Sequence, residues 1–128
     1  MTWHDVFDAH SHIGFYRGKE YSLQDALGRM DRNRISRAVV CPFVTGLLDR
    51  EDFSRANDYV IRAVKACPER LVGMCALTPV HGEFAVDEFQ RSLDLGLSGM
   101  KLHPDKHGVY SLAAVSYTHL TLPTNREV

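Results

Sequence analysis

His10 and His12 stand two residues apart in the run Asp8-Ala9-His10-Ser11-His12. On an extended chain side chains alternate, so the two imidazoles share one side, with Asp8 one step before them on that side. Two imidazoles at this spacing can share one divalent ion, and neutral imidazole suits zinc, manganese or iron(II). Two ordinary surface histidines would show the same spacing, so the pair gains meaning only from the elements that hold it. Lys101 and His103 form a second pair with a common face. For Lys101 the reading is an internal ion pair or a pocket for a substrate carboxylate. For His103 a structural hydrogen bond is favoured over a substrate contact. His4, His81 and His107 fall in loop-like sequence and have no such companion.

The elements that must position these residues follow a regular rhythm. Val6 to Ile13 reads as a strand that ends at Gly14, and Gly14 to Tyr21 reads as a loop. Ser22 offers an N-cap with Asp25 three residues on, and Leu23, Ala26, Leu27 and Met30 recur at the spacing of a helix face. Ala38 to Cys41, closed by Pro42, and Leu71 to Leu77 are continuous apolar runs, the pattern of strands covered on both faces. Between them Phe53, Ala56, Val60, Val64 and Cys67 mark a second helix. Ala85, Phe89 and Leu93 mark a third, with Gly96 just past its end, and Ser98 to Pro104 reads as a fourth strand.

Strand and helix alternation of this kind predicts an α/β fold with a parallel sheet. The strands begin near residues 6, 36, 71 and 97, a repeat of about 30 residues, which is the unit of a (β/α)8 TIM barrel of about 250 residues. Four strands are the N-terminal half of such a barrel. The histidine pair then sits at the C-terminal end of the first strand, where barrels of this kind place their chemistry. A flavodoxin-like open sheet has the same strand count, but it would want a glycine-rich phosphate loop, and no GxGxxG or Walker pattern occurs.

Composition narrows the partners. The 128 residues carry 15 Lys and Arg against 16 Asp and Glu, with no basic stripe, which argues against nucleic acid and anionic membranes as partners. No apolar run approaches the length of a membrane span and the N-terminus has no signal-peptide pattern, so a cytoplasmic location is expected. The three cysteines form no CxxC pair and read as small buried hydrophobes.

The segments DAHSHIG, CPERLVGMCALTP and LGLSGMKLHP together resemble the amidohydrolase-related branch of the metal-dependent amidohydrolase superfamily, which includes aminocarboxymuconate-semialdehyde decarboxylase. The resemblance covers about residues 5 to 110. It implies a distorted TIM barrel holding one divalent ion, commonly zinc, with manganese or iron as alternatives, and it carries the HxH onto His10 and His12 as metal ligands. Asp8, two residues before the pair, is read from its position alone as a supporting residue. The family's other metal and catalytic groups, a His on strand five, a His on strand six and an Asp on strand eight, have no counterpart in this sequence. The implied activity is that of a metal-dependent hydrolase or decarboxylase acting on a small carboxylate-bearing substrate through a metal-activated water. A homo-oligomeric parent is left open. In other branches a carboxylated lysine on strand four bridges two metals, which makes Lys101 a candidate ligand, but the likeness to the one-metal branch favours a pocket or ion pair. With two of the usual three protein ligands, the chain alone is expected to be inactive. The alternatives are a small complete α/β domain that binds a metal or partner without catalysis, and a TatD-like nuclease or phosphoesterase. The second is weakened by Lys101, which stands where a strand-four glutamate would be expected.

Beyond residue 114 the rhythm stops. Val115 to Thr124, VSYTHLTLPT, back-translates into a string that resembles the transposon mosaic end and adapter of sequencing libraries. Residues 1–114 are therefore expected to be a partial barrel domain, and residues 115–128 a non-native tail whose His119 is no ligand.

Overall fold

The computed structural model describes residues 6–47, 49–104 and 106. Strands β1 (Val6–Tyr16), β2 (Lys19–Tyr21), β3 (Ile35–Pro42), β4 (Leu71–Ala76) and β5 (Gly99–Lys101) alternate with helices α1 (Leu23–Arg32), α2 (Arg50–Ala66) and α3 (Glu83–Asp94). They form one sheet in the order β2-β1-β3-β4-β5. β1, β3, β4 and β5 run parallel and β2 is antiparallel to β1. The four parallel strands are those read from the sequence. His4, His107 and residues 115–128 lie outside the described residues.

Local chemistry starts the helices where the polar residues stand. The Ser22 hydroxyl accepts the Asp25 N–H and the Asp25 carboxylate accepts the Ser22 N–H, a closed capping box. Asp49 and Asp52 make the same reciprocal pair at the start of α2. From there α2 lays Val60, Ile61 and Val64 against the sheet, where they join Val40, Leu71 and Cys75 in the core. All three cysteines are free and buried.

Gly73 on β4 leaves no room for a side chain beneath the core. A Cβ there would stand 2.5 Å from Leu97 Cδ2 and 2.7 Å from Val64 Cγ2, both core side chains. Gly73→Ala is therefore expected to destabilise the chain by about 2 kcal/mol through overpacking. A denaturant midpoint unchanged from wild type would contradict that placement.

The sequence reading differs from the structure in three places. Gly14 to Tyr21, expected as a loop, is a hairpin: β1 continues to Tyr16 and returns as β2 through Arg17 and Gly18, at φ 51° and 77°. Positive φ at both central positions is the two-residue hairpin turn, normally announced by Asn or Asp before the glycine, and Arg17 gives no such signal. The fourth parallel strand, expected over Ser98 to Pro104, pairs only over Gly99–Lys101, in register with Met74–Ala76. Leu71 to Leu77 ends one residue early, where Thr78 caps a 3₁₀ turn over Pro79–His81.

A buried polar network ties the helices to the end of β4. Asn57 on α2, with no exposed surface, accepts the Ala76 N–H at 2.7 Å and donates to the Ala76 carbonyl and to Glu88 Oε1, both at 3.0 Å. Asn57 thus stands in for a neighbouring strand at a point where the Ala76 backbone groups would otherwise lack partners. Glu88 on α3 also receives Ser54 Oγ at 3.2 Å and Arg91 through two nitrogens at 2.7 and 2.9 Å. Arg91 continues to Asp58 at 2.8 Å.

Candidate metal centre

β1 carries a bulge that contains His10, the first histidine of the pair. From Asp8 to Ser11 it advances three residues while β3 advances two, from Ala38 to Val40. The Asp8 carboxylate accepts the His10 backbone N–H at 3.0 Å across this bulge. The bulge interrupts the plain alternation expected between Asp8 and the histidines, and Asp8 holds the backbone that carries His10. Pairing resumes at Ser11, with His12 opposite Cys41.

His10 and His12 nonetheless meet. Their Nε2 atoms are 3.0 Å apart and their ring centroids 4.9 Å, the planes inclined at 58°. His12 Nδ1 lies 3.1 Å from the Pro42 carbonyl oxygen, which can only accept, so the proton of His12 is on Nδ1 and its Nε2 lone pair faces His10 Nε2. A lone pair set this way, by a backbone carbonyl on the far nitrogen, is the usual preparation of a ligating histidine. The spacing fits an ion as well. Two nitrogens at about 2.1 Å from one metal stand about 3.0 Å apart at a right angle and about 3.4 Å apart at the tetrahedral angle.

Electrostatics support the neutral ring. Burial, together with the charges of His10 and Lys101, holds His12 below the ordinary imidazole value, against the raising effect of its hydrogen bond to Pro42. The neutral form is the one that binds a metal.

Cys41, which the sequence marked only as a buried hydrophobe, has its Sγ 3.5 Å from His12 Nδ1 and 3.4 Å from the Ser11 carbonyl oxygen. The ligand atoms of His10, His12 and Cys41 all lie within 4.8 Å of one another. They do not converge on one point, because Cys41 meets the Nδ1 edge of His12 and an ion would meet the Nε2 edge. Burial also pushes the Cys41 thiol up, which disfavours its thiolate form. The histidine pair thus offers two metal-binding nitrogens.

Lys101 ends β5, opposite Ala76, and its positive charge acts on both His12 and Cys41. It therefore belongs to the surroundings of the pair. His103, past the end of β5, receives the Lys106 N–H on Nδ1 at 3.4 Å. A cavity of about 500 Å³ between α2 and the strand ends is lined by Ile13, Phe15, Phe43, Tyr59 and Arg62 but by neither histidine. Sequence reasoning missed the two groups that grip His12 directly, the Pro42 carbonyl and the Phe43 ring, whose centroid is 5.0 Å from that of His12. In the sequence Pro42 marks only the end of a strand, and a main-chain carbonyl has no side-chain signature.

Comparison with known proteins places these features. The amidohydrolase family profile matches residues 6–124, a span that runs past residue 114. A protein assigned as an amidohydrolase from Staphylococcus aureus superposes with a TM-score of 0.71 at 21% identity, over 91% of this chain and 42% of its own. The 5-carboxyvanillate decarboxylase of Novosphingobium aromaticivorans, complexed with manganese and 4-hydroxy-3-methoxy-5-nitrobenzoic acid, does so with a TM-score of 0.65 at 26% identity, over 75% and 29%. For 2,6-dihydroxybenzoate decarboxylase from Rhizobium the values are 0.64 and 21%, over 88% and 44%. The chain thus spans less than half the length of each, and its parallel sheet is the N-terminal half of their (β/α)8 barrel. No curated protein sequence matches it. No helix among the described residues is long and apolar enough to cross a membrane.

Proposed function

This chain belongs to the amidohydrolase family, and from that premise we propose that the whole protein is a metal-dependent hydrolase or decarboxylase acting on a small carboxylate-bearing substrate. The observation that carries the reading is the 3.0 Å approach of His10 Nε2 and His12 Nε2, with His12 Nδ1 held on the Pro42 carbonyl. In this reading His10 and His12 are two ligands of one divalent ion. Zinc is the first choice for two imidazoles, with manganese or iron(II) as alternatives, and the manganese in the Novosphingobium relative favours keeping manganese in the test. When bound, the ion supplies Lewis-acid polarisation and activation of water.

The chain's own residues do the rest. Pro42 fixes the His12 tautomer, and Asp8 steadies the bulged backbone that carries His10. Lys101, whose charge reaches His12, offers its ammonium to a substrate carboxylate on the same side of the sheet. His103 stands two residues on as a further polar contact. The family resemblance assigns the remaining ligands to strands five, six and eight. The partner proposed is a small molecule, in the cytoplasm; balanced charge argues against nucleic acid and membranes.

The test uses the purified whole protein, because this chain alone is expected to be inactive. It is assayed for carbon dioxide release and for ester and lactone hydrolysis across a panel of small carboxylic acids, before and after chelation, with zinc or manganese then restored. Turnover lost on chelation and regained with one of the two metals is expected. Turnover indifferent to metal removal would overturn the proposal.

A further inference from the structure

Pro42 O grips one edge of His12, but a single hydrogen bond leaves an imidazole free to tilt about it. The face of the ring is held by something else. Phe43, the residue after β3, lies on His12 with ring centroids 5.0 Å apart and planes inclined by only 20°. Tyr16 lies on Phe43 at the same 5.0 Å and 23°, and Tyr21 closes on its flank at 5.1 Å and 50°. His12 and Tyr16 stand four residues apart on β1, far enough for Phe43 to fit between their rings. Gly14, the strand residue midway between them, carries no side chain. Tyr16 and Tyr21 belong to the β1–β2 hairpin, whose Arg17-Gly18 turn has no signature in the residue pattern. The hairpin thus has a use beyond sheet pairing, since it backs Phe43 against the imidazole.

We propose that Phe43 is a positioning residue for His12: its ring, backed by Tyr16 and Tyr21, fixes the imidazole plane so that Nδ1 stays on the Pro42 carbonyl and Nε2 faces His10. Offset stacking of this kind favours one inter-ring geometry, and a flexible side chain of similar volume does not. The consequence for metal binding rests on the reading of His10 and His12 as ligands. The hold on the ring itself does not, and the two are measured separately.

The experiment compares wild type with Phe43→Leu, Phe43→Tyr and Tyr16→Leu. Long-range ¹H–¹⁵N spectra of the metal-free protein at pH 8 read the His12 tautomer, and titration with zinc or cobalt(II) reads affinity and the cobalt absorption spectrum. Wild type is expected to show one tautomer, with the proton on Nδ1. Phe43→Leu is expected to mix the tautomers and weaken metal binding about 10-fold, as outer contacts to a ligating histidine commonly do. Phe43→Tyr is expected to restore both. Tyr16→Leu removes only the backing ring and should act in the same direction more weakly, and it carries the test if Phe43→Leu does not fold. An unmixed His12 tautomer in the folded Leu variants would overturn the proposal, as would a tyrosine at position 43 that behaves like leucine. If wild type binds no metal while the tautomer responds as described, the positioning role stands and the metal reading fails.

Discussion

Alanine at His10 or His12 is expected to weaken divalent-ion binding by at least about 100-fold, and alanine at both to abolish it. Zinc binding to a four-ligand protein site is worth about 10 to 16 kcal/mol, so one ligand carries about 3 kcal/mol, which corresponds to about 100-fold. The two single variants should differ in a second respect. His10 is exposed and its known contacts are Nε2 to His12, together with its backbone N–H to Asp8. His12 is half-buried and stacked on Phe43, and its loss also leaves the Pro42 carbonyl without its donor. His10→Ala should therefore keep the wild-type melting temperature, whereas His12→Ala should lower it. Metal affinity by competition with a chromophoric chelator, read beside thermal melting, separates these effects. A double variant that still binds zinc as tightly as wild type would place the metal elsewhere.

Asn57→Ala should have an effect of similar size on stability alone. Its side chain is wholly buried and satisfies both backbone groups of Ala76. Buried backbone groups left without partners cost about 1 to 3 kcal/mol each, so a loss of about 3 kcal/mol and a fall of about 10 °C in melting temperature are expected. A loss below about 1 kcal/mol would mean that other groups reach Ala76. Glu88, beside Asn57, adds a pH signature. Burial opposes its ionisation, but hydrogen bonds from Arg91, Asn57 and Ser54 outweigh that and hold its carboxyl below the usual value of 4.5. As pH falls, the unfolded chain takes up this proton first, so the Glu88 contribution is complete above about pH 4.5 and is lost as pH drops below it. Glu88→Gln should flatten the decline of melting temperature in that acid range. An unchanged slope would show that other carboxylates govern it.

Much of this was legible from residue spacing because the physics behind it is local. Ser22 and Asp25 announced α1 by a reciprocal bond three residues long. The apolar runs at Ala38 to Cys41 and Leu71 to Leu77 could be satisfied only by cover on both faces, which a parallel sheet between helices provides. His10 and His12 could be seen to share a side, although the bulge at Asp8 was invisible to a rule of strict alternation. What escaped depends on distant partners. Asn57 and Glu88 look like ordinary polar helix residues until α2, α3 and β4 come together. Phe43 looks like a loop aromatic until the hairpin, turned by Arg17 and Gly18, brings Tyr16 and Tyr21 to it.

The proposed function requires one ion between His10 and His12. Crystals of the protein loaded with zinc or manganese, measured on either side of the metal's absorption edge, test it directly. One anomalous peak is expected on the strand end of β1, about 2.1 Å from Nε2 of both histidines, with His12 Nδ1 still on the Pro42 carbonyl. A fully loaded crystal whose peak lies elsewhere, with the two Nε2 atoms still hydrogen-bonded to each other, would contradict that placement.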